Sequence, residues 1–120
     1  MEKNTLYLVV PCYNEEAVLP ETAKRLEEKL RRMIASGRAA ADSRILFVND
    51  GSKDKTWELI EQLHAQSEFV CGIKLSRNRG HQNALLAGLM AAKETAACAI
   101  SLDADLQDDL EVLDEFMVQW

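Results

Sequence analysis

Long apolar runs are missing from this 120-residue chain. No stretch approaches the ~20 apolar residues that a helical membrane span requires. The opening MEKNTLYLVVPCYNEE holds one short apolar run before a polar turn, which is too short for a signal peptide with its cleavage site. Cysteine is scarce. Cys12, Cys71 and Cys98 are odd in number, form no CxxC pair and lie in or beside apolar runs. They are expected to be small core residues in a reducing compartment, neither disulfides nor metal ligands. Basic charge is outweighed: 14 Lys and Arg stand against 20 Asp and Glu, a net charge of −6. That argues against a nucleic-acid partner, which wants clustered basic charge, and leans towards a bound cation. There is no P-loop, no GxGxxG and no Ser/His/Asp order of a hydrolase triad. With 48% hydrophobic residues, the expectation is a single soluble, cytoplasmic domain with a proper core.

What is present is a repeat of strand then helix. Leu6 to Val10 is a short apolar run ended by Pro11. Residues 17–34 carry Leu19, Ala23, Leu26, Leu30 and Met33 at helical spacing, with Lys, Arg and Glu on the solvated side. Residues 36–43 form a small-residue connection. Ile45 to Val48 is a second strand. Residues 55–65 form a second helix with Trp57, Ile60 and Leu63 on one face and Asp54 as its N-cap. Val70 to Leu75 is a third strand. Residues 84–92 are small and apolar and read as a buried helix pressed on a sheet. Cys98 to Leu102 is a fourth strand, and Leu110, Leu113, Phe116 or Met117, and Trp120 begin another helix.

Alternating strands and helices mean parallel βαβ units with right-handed crossovers. The predicted fold is α/β, a Rossmann-like, mostly parallel sheet with helices on both faces; the short all-apolar strands fit such burial. Four strands alone leave an apolar edge, and no Gly or Pro closes the last helix. The expectation is that residues 1–120 are the N-terminal part of a longer domain.

Each predicted strand runs directly into a polar cluster. These are Pro11-Cys12-Tyr13-Asn14-Glu15-Glu16, Asn49-Asp50-Gly51-Ser52-Lys53-Asp54, residues 76–83 (SRNRGHQN) and residues 103–109 (DADLQDD). Carboxyl ends of parallel strands share one rim, where open α/β sheets bind ligands. Asp103 and Asp105, two residues apart beyond a strand, suit a hard divalent cation such as Mg²⁺ or Mn²⁺, which bridges to phosphate oxygens. An EF-hand is excluded, because Asp108 stands where the loop needs Gly and no helix precedes it. Asp108 and Asp109 are expected to favour the next helix's dipole. Asp50 can accept a hydrogen bond from a base N–H or a ribose hydroxyl, and Gly51 permits a tight turn there. Arg77, Arg79 and His81 can offer positive charge to phosphate, with Gly80 allowing close approach. Asn14 and Glu15 also fit as caps of the first helix, Asp50-Gly51 as ordinary turn chemistry, and His64 as surface.

Taken together, the strings VVPCYNEE, VNDGSKDKT, LSRNRGHQNALLAG and LDADLQDD resemble the family-2 inverting glycosyltransferases of the GT-A fold. They cover nearly the whole chain in the family's order. The third and fourth look like the subgroup acting on polyprenyl phosphates, the dolichyl-phosphate mannose synthases and undecaprenyl-phosphate glycosyltransferases of cell-surface polysaccharide biosynthesis. The resemblance implies that Pro11, Tyr13, Glu15 and Asp50 line a nucleotide pocket and that Arg77, Gly80 and His81 flank the donor. It implies that Asp103 and Asp105 form the DxD, with Asp105 and Gln107 holding the metal and donor phosphates. The implied reaction is metal-dependent and moves a sugar from a UDP- or GDP-linked donor, with inversion, to a polyprenyl phosphate at the cytoplasmic face of a membrane. The family's catalytic base lies downstream of the DxD, beyond Trp120, so this chain alone is expected to transfer nothing. Two departures stand out: Arg79 replaces the usual aromatic between Asn and Gly, and Leu110 replaces the usual Pro.

Two other readings compete. A haloacid-dehalogenase-like phosphatase also has a DxD after an apolar strand, but here Gln107 occupies the place of Thr or Val and the strand is the fourth. A non-catalytic nucleotide-binding module is the third reading.

Overall fold

The structure is a computed structural model that describes residues 5–93, 96, 98–102 and 118–119. Strand and helix alternate: β1 (Leu6–Cys12), α1 (Leu19–Ala35), β2 (Arg44–Asn49), α2 (Thr56–Gln66), β3 (Val70–Lys74), α3 (His81–Lys93), β4 (Cys98–Ser101) and β5 (Val118–Gln119). They form one five-stranded sheet in the order β3-β2-β1-β4-β5. β1 lies parallel to β2 and β4, β2 parallel to β3, and β5 antiparallel to β4.

Period-2 alternation along β1 divides the core. Leu6, Leu8, Val10 and Cys12 face one side, with Phe47 and Ile45 of β2 and with Leu19, Ala23, Leu26, Leu30 and Met33 of α1. Ile60 of α2 completes this cluster. Val9 faces the other side with Leu46, Val48, Ala84 and Ala92. Thus α1 and α2 cover one face and α3 the other. The chain passes from β3 across to β4, on the far side of β1, so the strand order reverses between β1 and β4. That reversal is the topological switch point at which such sheets bind ligands.

The helices follow from the sequence pattern. In α1 the buried positions repeat at helical spacing, and Pro20 sits in the first turn, where no N–H partner is needed. The helix stops at Gly37, whose φ of 81° suits glycine. There the Gly37 and Arg38 amides donate back to the Ile34 and Met33 carbonyls at 3.1 and 2.9 Å, a Schellman closure. In α3 the buried residues are Ala84, Gly88 and Ala92, one every four positions. A Cβ at Gly88 would stand 2.5 Å from Val9 Cγ1 and 2.7 Å from Val48 Cγ2. The absence of that carbon is what lets α3 lie directly on β1 and β2.

Several expectations need correction. β1 runs through Pro11 to Cys12. Val9 accepts from the Leu102 amide on the β4 side, so the nitrogen of Pro11, two residues on, faces that same side beyond the end of β4, where no ladder bond is lost. The helix expected near Trp120 is contradicted at Val118–Gln119, which form a strand on the free edge of β4; residues 103–117 and 120 lie outside those described. α3 begins at His81, not Ala84, and only one side of it is buried. Leu86 is 54% and Met90 64% exposed, because they lie away from the small-residue strip, flanked by Leu85 and Leu89, that meets the sheet. Among the described residues no helix is long and apolar enough to cross a membrane.

Candidate functional site

The carboxyl ends of β1, β2 and β3 bring the first three polar clusters to one rim. Asp50 directly follows β2 and is buried, 3% exposed. Its amide donates to the Cys12 carbonyl at 2.8 Å, and its Oδ1 accepts the Arg79 amide at 2.6 Å. This single residue therefore ties the first and third clusters to the second. Its other carboxylate oxygen has no hydrogen-bond partner among the described residues, which suits an acceptor for an incoming N–H or hydroxyl. Gly51 follows with φ 67°. A Cβ there would lie 2.3 Å from the Asn78 amide nitrogen, so only glycine lets the second and third loops touch.

The first and second loops are joined through side chains. The Asn14 amide donates to Ser52 Oγ at 3.0 Å, and Asn14 Oδ1 accepts the Lys53 amide at 2.8 Å. Asn14 has φ 53°, a left-handed conformation that Asn tolerates better than most residues. The Glu15 amide donates to Thr56 Oγ1 at 2.9 Å, and the Glu16 amide to Asp54 Oδ2 at 3.3 Å. Partial desolvation pushes the Asp54 carboxyl up, but the hydrogen bonds it accepts from Thr56 and Glu16 outweigh this and hold it below its ordinary value. Buried Cys12 behaves oppositely. Desolvation, then the nearby Glu15 charge, push its thiol up to about 12, so it stays neutral and unreactive.

The expected site residues separate clearly. Pro11 is buried in β1, opposite Val48. Tyr13 is 39% exposed at the rim, and Glu15 is half-buried beside it. Arg77 and Gly80 are exposed in the loop after β3, and exposed His81 opens α3. Gly80 turns at φ 91° and its amide donates to Asn78 Oδ1 at 3.0 Å. Asp103, Asp105 and Gln107 lie outside the described residues; β4 delivers the chain to the rim at Leu102, whose amide donates to the Val9 carbonyl at 3.0 Å. Among the described residues no group of three or more His, Cys, Asp or Glu is placed to hold a metal. A groove of about 240 Å³ lies between α1 and α2, lined by residues such as Ala23, Glu27 and Leu63. None of its lining residues belongs to the strand-end loops, so it lies apart from this chemistry.

Two assignments change. Asn14 and Glu15 do not cap α1 with their side chains, since the helix starts at Leu19 and its N-cap, Val18, makes no side-chain bond. The Glu15 carbonyl instead accepts the Val18 and Leu19 amides at 3.1 and 3.0 Å. Asp54 stands one residue before the N-cap of α2, which is Lys55 and makes no side-chain cap bond, but its Oδ1 accepts the Thr56 amide at 2.9 Å. Thr56 was not singled out by sequence reasoning, and Ser52 was weighed only as a turn or cap residue. The alternation of hydroxyl and carboxylate residues in GSKDKT was the available signal.

An open, mainly parallel sheet whose polar loops gather at the carboxyl ends of its strands is the GT-A glycosyltransferase architecture. The same fold is found in S. aureus TarS, with a TM-score of 0.67 at 20% identity over 84% of this chain and 16% of that one. It is found too in the mannosyltransferase PcManGT from Pyrobaculum calidifontis, solved with GDP-Man and Mn²⁺, with a TM-score of 0.66 at 21% identity over 95% of this chain and 31% of that one. The chain belongs to glycosyl transferase family 2, whose family model matches residues 7–118. It is 51% identical over 115 residues to the uncharacterized glycosyltransferase YkoT of Bacillus subtilis, covering 96% of this chain and 34% of that protein. It is 36% identical over 116 residues to the prophage bactoprenol glucosyl transferase homolog of Escherichia coli, covering 94% of this chain and 34% of that protein. The chain thus spans about a third of the length of these curated relatives.

Proposed function

We propose that residues 1–120 form the donor-binding part of a glycosyltransferase that moves a sugar from a UDP- or GDP-linked donor to a polyprenyl phosphate, with inversion at the anomeric carbon. The meeting of three loops at buried Asp50 carries this reading. Asp50 offers a fixed acceptor oxygen to a base or ribose, and Pro11, Tyr13 and Glu15 form the neighbouring wall. Arg77 and Gly80, on the loop that Asp50 holds, and His81, which opens α3, are assigned to the donor's charged end. Relatives named bactoprenol glucosyl transferases support a lipid-linked acceptor, and such an acceptor fits a full protein that works at the cytoplasmic face of a membrane.

Asp103, Asp105 and Gln107 offer hard oxygen donors, a set that fits Mg²⁺ or Mn²⁺. When bound, the cation would neutralise charge on the departing diphosphate. The chain's own residues hold and orient the nucleotide. A phosphate acceptor is already ionised near neutral pH and asks little of a general base.

The test is sugar transfer by the full-length protein from UDP- and GDP-linked sugars to polyprenyl phosphate. Transfer from one donor class with inverted stereochemistry, lost in Asp105→Ala, is the expected result. Retention of configuration, or hydrolysis of small phosphate esters in place of transfer, would overturn it.

A further inference from the structure

Thr56 is fully buried yet polar. Its position is set twice over. It opens α2, and its hydroxyl sits between two loops. Thr56 Oγ1 donates to Asp54 Oδ1 at 2.5 Å and accepts the Glu15 amide at 2.9 Å. A hydroxyl has one proton to give and lone pairs to receive, so both bonds are satisfied together. Asp54 uses its second oxygen for the Glu16 amide at 3.3 Å. The neighbouring Asn14 is bonded in both directions, to Ser52 Oγ and from the Lys53 amide. The turn from Asn14 to Glu16 is therefore seated on the start of α2, although it carries a left-handed residue that has little reason to hold that shape alone. The Cys12 carbonyl, two residues before Asn14, receives the Asp50 amide.

We propose that Thr56 and Asp54 are positioning residues for the nucleotide pocket. They pin the turn that carries Tyr13 and Glu15 at the rim occupied by Asp50, so the two walls of the pocket are preformed before a ligand arrives. A preformed wall spares the ligand the entropy of ordering it. The proposal rests on the reading of this rim as a nucleoside-diphosphate pocket. It assigns no chemistry to either side chain; each acts through the backbone amides of Glu15 and Glu16.

The test compares Thr56→Val with Thr56→Ser in the full-length protein, with Met33→Ala as a variant that disturbs the same layer far from the rim. Affinity for UDP and for GDP, each with Mn²⁺, is read by calorimetric titration. Protection of the Glu15 and Glu16 amides is read by hydrogen exchange. Thr56→Val is expected to weaken nucleotide binding about tenfold and to expose the Glu15 amide. Thr56→Ser should retain both, and Met33→Ala should lower the melting midpoint with affinity unchanged. Thr56→Val that melts lower but binds normally, or that leaves the Glu15 amide protected, would overturn the proposal. Wild-type protein that binds neither nucleotide would overturn the pocket reading itself, and this proposal with it.

Discussion

On one face of the sheet, α1 and α2 fill the space over β1 and β2 with Leu26, Leu30, Met33, Ile60 and Phe47, all essentially inaccessible. On the other, α3 brings the small residues Ala84, Gly88 and Ala92 down onto Val9 and Val48, flanked by half-buried Leu85 and Leu89. The first face depends on volume that is present and the second on volume that is missing. The difference bears on the site. Large side chains hold α1 and α2 at a distance, and their loops are then joined by hydrogen bonds from side chain to backbone. The close seat of α3 delivers Gly80 and His81 directly to the rim, where Asp50 needs only a backbone amide to hold the loop.

The contrast can be broken in either layer. Leu26→Ala removes a fully buried side chain and should cost about 2–5 kcal/mol in a denaturant titration. A loss under about 1 kcal/mol would mean that the α1 layer is plastic. Gly88→Ala is the sharper case because two effects oppose each other. Helix propensity alone would stabilise by about 1 kcal/mol. The added carbon meets Val9 and Val48 below van der Waals distance, and such overpacking costs roughly 1–3 kcal/mol. Net destabilisation is expected. A more stable Gly88→Ala protein would show that α3 does not rest on the sheet through this glycine.

Much of this was legible from residues alone. The apolar runs and the turn chemistry behind each of them placed β1 to β4 and the loops that meet at Asp50. Boundaries moved by one to three residues, as at Pro11 and His81, because sheet pairing and helix nucleation extend a pattern past its last apolar residue. β5 was not legible. Two residues, Val118 and Gln119, carry no periodic signal, and the sheet edge overrode a helical spacing that ran through them. The links between loops were hidden for another reason. Asn14 and Ser52 lie 38 positions apart and Glu15 and Thr56 lie 41 apart, so nothing in either local pattern points to the other. The Arg79 departure also proves benign at one contact, since the bond to Asp50 comes from its backbone and is open to any residue but proline.

The most direct test of the donor-site claim is the melting midpoint of the protein with UDP, GDP and their sugar conjugates, each with and without Mn²⁺, in wild type and Asp50→Ala. A ligand at a hundredfold excess over its Kd adds about 2.7 kcal/mol to the folded state. One nucleotide class should raise the midpoint with metal present, and Asp50→Ala should lose that rise. Cooperative melting at one unchanged midpoint under every condition would contradict the account.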